Sequence, residues 1–489
     1  MAAAHDRTRT FDLLARAGDA DAPASDRVDA LQALAALEDY RAIEPLTAMV
    51  LDTQVPEPIR TRASDVVVAY EDVSTPALRR TWWGSGDPIV MRHALCLMGR
   101  TEADLLIPVA ADDSHPLQRD ALAAMSFGFG EPEFMPVLIR ALDHRDRDIR
   151  AVAAETLLWD EPVAAEEGLL AAARDRSAEL AAVAVNTLRY YPTRRVLRAV
   201  AELRDSDDAG VRAAALETFE DLRAQFESSV HTADAKEAAA LHEWVRPVAD
   251  LLRPSRPDHA PHPSTPPQPP AVLSEQAVTA ILGTPDQDWL EMTGTLRRID
   301  WGVYDSGARA RLTERLAAHP DPLVRECACA VLVGWSDPGI LLALTADPSF
   351  TVRKAAMYSL VLLPVDSRIA TTAWEYLATA TGTAAYEALR TYAAHAPAPE
   401  AIDRLVELAR TDPREVIRHT AIHTLGELEA ADAIRALAPL LHEQPGITWS
   451  THIALLNELG DLGAPVKPPA YLATVDNLDL ACTLAEYQN

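Results

Sequence analysis

Apolar residues along this chain recur with the spacing of helices that bury one face. Val352, Ala355, Ala356, Ser359, Leu360 and Leu363 follow an i, i+3, i+4, i+7, i+8 order, which predicts a helix with a single buried stripe. Alanine and serine on that stripe let neighbouring helices approach closely, while leucine and valine fill the remaining space. Other segments read as partner helices. Residues 133–142 present Phe134, Val137, Leu138 and Leu142, and residues 432–441 present Ile434, Leu437, Leu440 and Leu441. Pro45, Pro108, Pro136 and Pro439 stand near the starts of such helices, where a missing N–H costs no helical bond. Asp87-Pro88, Asp321-Pro322, Asp347-Pro348 and Asp412-Pro413 mark turns in which the carboxylate accepts from free N–H groups at a helix start. A longer helix is expected at 233–252, with Trp244 and Val248 on one side, and residues 10–17 and 476–487 are expected as end helices. No strand array competes with this pattern.

The helices belong to a recurring phrase: an Asp turn, an apolar residue followed by Arg, then an Ala-rich helix. The apolar–Arg step occurs at Ile59-Arg60, Met91-Arg92, Ile149-Arg150, Val211-Arg212, Val324-Arg325, Val352-Arg353 and Ile417-Arg418, with Gln118-Arg119 as a variant. Its spacings are 32 (60 to 92), 27 (92 to 119), 31 (119 to 150) and 62 (150 to 212), then 28 (325 to 353) and 65 (353 to 418). The two long gaps are double periods. A period of this size marks an array whose units bury their apolar faces only against their neighbours.

Phrase, period and helix pattern together resemble the HEAT-repeat superfamily, and the roughly 31-residue period is most similar to its short, phycobilisome-lyase-like branch. The resemblance covers most of 25–252 and roughly 305–465. It implies an all-α solenoid of antiparallel helix pairs whose Arg-bearing helices line the concave side. It also implies that the repeat Arg bonds the turn Asp of a neighbouring unit, making Arg353 and Arg418, with Asp347 and Asp412, ladder residues.

Residues 254–270 hold eight prolines among Ser, Thr and His, the composition of an extended, solvated connector. The chain thus divides into an N-terminal array (1–252), a proline-rich linker (253–272) and a C-terminal array with a closing helix (273–489). Whether the arms form one arc is left open by the sequence.

Composition narrows function more than fold. The formal charge is −28, from 73 acidic and 45 basic residues, so binding of a nucleic acid would need a locally basic face. Arg79 and Arg80, or Arg194 and Arg195, are too few and scattered to make one. A basic protein or peptide fits the balance better, and the acidity also serves solubility. Cys96, Cys327, Cys329 and Cys482 carry no disulfide spacing, and small buried thiols fit a reduced, cytoplasmic setting. The first residues have no secretory pattern, and no apolar run is long enough to span a membrane.

No constellation for catalysis emerges. There is no glycine-rich phosphate loop, no nucleophile elbow and no paired-cysteine zinc spacing. His419 and His423 are four apart on one helix face, yet no third ligand stands at a metal-binding spacing. No cofactor is expected. The candidate binding surface is the outward side of the Arg-bearing helices: Thr61, Asp65, Asp120, Glu155, Glu217, Glu220, Glu326, Tyr358, His419 and His423. A mostly acidic groove of this kind suits a non-catalytic scaffold or adaptor for a protein partner. An immunity-type inhibitor of a basic toxin or enzyme, and a HEAT-type lyase subunit or DNA-repair enzyme, remain the alternatives.

Overall fold

The structure is a computed structural model and describes residues 7–37, 39–70, 74–128, 131–159, 162–232, 235–252, 272–283, 289–333, 338–380 and 382–487. Among them the regular structure is helical and no β-strand occurs. All but the last residue of the expected linker lies outside the described residues.

Two compact units are formed, each from two stretches of chain: Met1–Met98 with Pro263–Ala396, and Gly99–His262 with Pro397–Asn489. In both, the Arg-bearing helices stack on one another and a partner helix packs beside each. In the first unit, Ala24–Ala35, Glu57–Val68 and Pro88–Cys96 follow in one stack. Trp289–Leu296, Pro322–Leu332, Phe350–Leu360 and Gly382–His395 form another. In the second unit the stacks are Gln118–Ala124, Arg147–Thr156, Ala178–Leu188 and Ala209–Thr232, and then Glu415–Glu427, Ser450–Asp461 and Leu478–Tyr487.

The buried stripes follow the apolar spacing closely. Phe350–Leu360 buries Val352, Ala356, Ser359 and Leu360, with Leu363 just beyond its end. Ala355 is only half-buried, and Met357 is buried in addition. Phe134, Leu138 and Leu142, and Ile434, Leu437 and Leu441, are buried as well, whereas Val137 and Leu440 sit at the margin. The turn aspartates cap helices. Asp87 accepts from Ile89 N at 2.9 Å, Asp321 from Leu323 N at 2.9 Å and Asp146 from Asp148 N at 2.9 Å. The helix expected at 233–252 is different. The long helix is the preceding Ala209–Thr232, followed by Ala235–Val245 and a tighter turn over Arg246–Leu251. Pro247 explains the break, because it supplies no N–H to continue the helix.

One device recurs at the hinge within several helix pairs. The repeat arginine donates to carbonyls at the end of the preceding helix: Arg150 Nη1 to His144 O at 2.8 Å, Arg325 Nη1 to His319 O at 2.8 Å, and Arg353 Nη1 to Asp347 O at 2.8 Å. Arg27 and Arg60 do the same for Ala17 O and Val50 O, each at 2.8 Å. These carbonyls lie where a helix runs out of its own donors, so one guanidinium satisfies what the turn leaves open.

A second device ties one Arg-bearing helix to the next. Thr156, Thr187 and Thr218 stand 31 apart and all are buried. Their hydroxyls donate to Leu122 O at 3.3 Å, Ala154 O at 2.9 Å and Val185 O at 3.2 Å, each in the helix before. Thr391 repeats the bond to Met357 O at 3.0 Å. Within the second unit, the C-terminal stretch is also bonded to the N-terminal one. Val163 N donates to Ile447 O at 2.9 Å, and Leu478 N to Pro192 O at 2.9 Å.

Candidate functional site

The buried threonines fix the phase of the candidate surface. A side chain that points into the stack forces the residue just before it onto a different side of the helix. Glu155, Asn186 and Glu217 precede Thr156, Thr187 and Thr218, and all three are exposed at the same 31-residue interval. Glu220 is exposed one turn further along Ala209–Thr232. Asp120, on Gln118–Ala124, is half-buried. Arg189 runs between these helices: Nη2 donates to Glu217 at 2.7 Å and Nε lies 3.2 Å from Asp221. Glu220 pairs with Arg223 on its own helix. Exposed Leu216 stands beside Glu217. Glu155 is therefore a carboxylate of this row that makes no ion pair among the described residues, while Glu217 and Glu220 are partly neutralised.

In the first unit, Thr61 and Asp65 are half-buried on Glu57–Val68, and Asp65 accepts from Arg92 at 2.9 Å. Glu326 accepts from Arg297 at 2.9 Å. Tyr358 is 51% exposed, and Leu362 and Val365 just beyond it are exposed at 55% and 78%, so an aromatic and two aliphatic side chains face solvent together. His419 and His423 lie on Glu415–Glu427. His423 Nδ1 is 2.8 Å from Glu458 Oε1, and its Nε2 is 3.9 Å from Glu427. Burial depresses the pKa of His419, and the neighbouring His423 lowers it further. Among the described residues no group of three His, Cys, Asp or Glu is arranged to hold a metal ion.

Strongly perturbed groups lie elsewhere in the interior. Glu131 is 2% exposed, and burial pushes it up to about 7, against the opposing pull of Arg100 and Arg414. Its Oε2 lies 3.0 Å from Arg100 Nε without hydrogen-bond alignment. His93 is fully buried beside Ser64 Oγ, 3.0 Å from its Nδ1, and burial lowers it to about 4. Burial raises the Cys327 and Cys329 thiols to about 11 and about 12, which keeps both protonated and unreactive. No helix among the described residues is long and apolar enough to cross a membrane.

Residues 375–455 match a family described as HEAT repeats. Over those residues the chain carries HEAT repeats. No curated protein matches it. Solved structures similar to it include human deoxyhypusine hydroxylase in complex with glycerol, 17% identical, covering 44% of this chain and 97% of that one with a TM-score of 0.25. A Kap95:Nup1 complex is 11% identical over 93% of this chain and 67% of that one, with a TM-score of 0.30. A designed armadillo repeat protein is 13% identical over 43% and 98%, with a TM-score of 0.23. At these identities and TM-scores the likenesses say nothing about what the HEAT repeats bind or do.

The ladder implied by the resemblance is present with different pairings. Asp347 is held by Arg325 of the helix pair before it, through Nε at 2.7 Å and Nη2 at 2.8 Å. Arg60 reaches Asp87 at 2.8 Å and Arg150 reaches Asp175 at 3.0 Å in the same sense. Arg353 instead turns back to its own hinge, and Asp412 is paired with Arg414 two residues on, at 2.9 Å. In that last repeat the bridging carboxylate is Glu415. It is buried and accepts from Ile447 N at 2.7 Å and Thr448 N at 2.6 Å. Sequence reading passed over Asn186, Arg189 and Leu216. The 31-residue recurrence of Thr156, Thr187 and Thr218 was the signal that would have found Asn186, since it sets the register of the row.

Proposed function

We propose that the chain is a non-catalytic scaffold that binds a protein or peptide partner along the exposed side of its Arg-bearing helices, and that the partner is basic. The supporting observation is the register of Glu155, Asn186 and Glu217, a row held by buried hydroxyl bonds and extended by Glu220. A rigid row of acidic and amide groups meets an elongated partner with many small contacts. Its attraction to a basic surface raises the rate of encounter more than the final affinity. Leu216 supplies an apolar contact in the same neighbourhood.

The test is capture of partners from the native lysate by the intact chain and by a Glu155→Lys, Glu217→Lys, Glu220→Lys variant, with salt-stepped elution. A protein retained stoichiometrically by the parent and lost from the variant supports the proposal, provided far-UV dichroism is unchanged. Equal retention by both removes this row as the binding surface.

A further inference from the structure

Within the second unit, a cavity of about 470 Å³ opens beside the helix Arg194–Leu203. It is lined by Arg174, Arg194, Arg195 and Arg198, together with Glu202 and Asp476. Such a concentration of guanidinium groups is unexpected in a chain with a formal charge of −28. Screening over about 8 Å at physiological salt lets the local charge govern a small ligand, whatever the charge of the rest.

The four arginines are not equivalent. Arg194 is fixed: Nε donates to Asp476 Oδ1 at 2.7 Å, Nη1 to Trp244 O at 3.0 Å, and the guanidinium lies 4.3 Å from the Trp244 ring centroid. Asp476 is consumed as well, because it also accepts the backbone N–H groups of Arg194 and Arg195, both at 3.1 Å. Arg174 donates to Leu170 O at 3.2 Å and to Glu202 at 3.4 Å. Arg195 and Arg198 are left with donors to spare. The Arg195 guanidinium faces Glu166 in a long ion pair, Nε to Oε1 at 3.8 Å, that is not a hydrogen bond. Arg198 donates to Pro247 O and has no carboxylate partner among the described residues. These two stand three apart on one helix, so their planar forks face the same space.

We propose that this cavity binds a small phosphorylated molecule, with Arg195 and Arg198 as its direct ligands and with Arg174 and Arg194 bordering them. Guanidinium groups match a phosphate with two parallel bonds each, which a single carboxylate cannot offer to both at once. The space exceeds that of a bare tetrahedral oxyanion and leaves room for a second phosphate or an organic moiety. The proposal is independent of the acidic row, since Arg194–Leu203 is a partner helix and not one of the Arg-bearing helices.

The experiment is calorimetric titration of the full chain with inorganic pyrophosphate at constant ionic strength, with succinate as a dicarboxylate comparison. Saturable binding of pyrophosphate is expected, tighter than that of succinate. It weakens at least about tenfold for each of Arg195→Gln and Arg198→Gln. Arg246→Gln, at an exposed arginine outside the cavity that pairs with Glu243, leaves binding unchanged. Absence of saturable heat, equal binding by the Arg195→Gln and Arg198→Gln variants, or a preference for succinate each overturns the proposal. Amide exchange over Arg194–Leu203 in both variants reports that the helix is intact, so lost binding is not lost folding.

Discussion

Replacing Glu415 tests how the turn between the last repeats is held. Its side chain is 5% exposed, and one oxygen accepts two backbone N–H groups, Ile447 at 2.7 Å and Thr448 at 2.6 Å. The other lies within reach of Ser450 Oγ at 3.2 Å and Thr451 Oγ1 at 3.4 Å. Hydrogen bonds to a charged group contribute about 1.5–3 kcal/mol each, and a buried donor left without a partner costs about 1–3 kcal/mol. Glu415→Gln keeps one acceptor oxygen but loses the charge and turns a donor toward one pair, so the turn should be destabilised by about 2 kcal/mol. Glu415→Ala strands both amides and should cost about 4 kcal/mol. A cost of about 1.4 kcal/mol is a factor of ten, so exchange at the Ile447 and Thr448 amides should quicken about 30-fold in the glutamine variant and about a thousandfold in the alanine variant. Hydrogen–deuterium exchange of the intact chain resolves this, with the amides of Arg147–Thr156 as an internal reference. Unchanged protection at Ile447 and Thr448 in Glu415→Ala would refute the reasoning, because those amides would then owe nothing to the carboxylate.

Glu131 is raised in the fold to about 7 from an ordinary value of 4.5, so its favourable contribution is complete below 4.5 and is lost as pH rises through about 7. That shift corresponds to roughly 3 kcal/mol; urea denaturation followed between pH 5 and pH 8 should show wild type losing stability relative to Glu131→Gln, and parallel curves would contradict the assignment. Thr187→Val keeps shape but removes the 2.9 Å bond to Ala154 O, so it should cost about 1 kcal/mol in urea midpoint, with no change in helicity by far-UV dichroism.

The helical solenoid was legible because its cause is local. The stripe through Val352, Ala356 and Leu360 needs only a 3.6-residue period, and the capping aspartates need only their place before a helix. Less legible were features that depend on how successive helix pairs meet. Arg353 and Arg325 occupy the same place in the phrase, yet Arg325 grips Asp347 of the next turn while Arg353 bonds only its own hinge. Geometry, not residue type, makes that choice. The break near Pro247, inside the helix expected at 233–252, follows from the missing N–H of that proline. The partner of Thr187 is a carbonyl 33 residues back, which no short window along the chain contains. Of the candidate surface, Glu155, Glu217, Glu220 and Tyr358 are exposed while Thr61, Asp65 and Asp120 are half-buried, and neither this difference nor the partial neutralisation of Glu217 by Arg189 could be read without the fold.

The hydroxyl bonds to Leu122, Ala154 and Val185 also have a genetic consequence. Each threonine reaches back 33 or 34 residues to an equivalent carbonyl, so removing one complete 31-residue period between Thr156 and Thr187 would present the same chemistry to the same acceptor. A gain or loss of whole periods therefore keeps these hydroxyl bonds, whereas a shift of one or two residues within a helix breaks their register; the bonds from Val163 to Ile447 and from Leu478 to Pro192 would be displaced in either case. The threonine ladder thus admits a change of length only in fixed steps, and the C-terminal stretch would have to change with it.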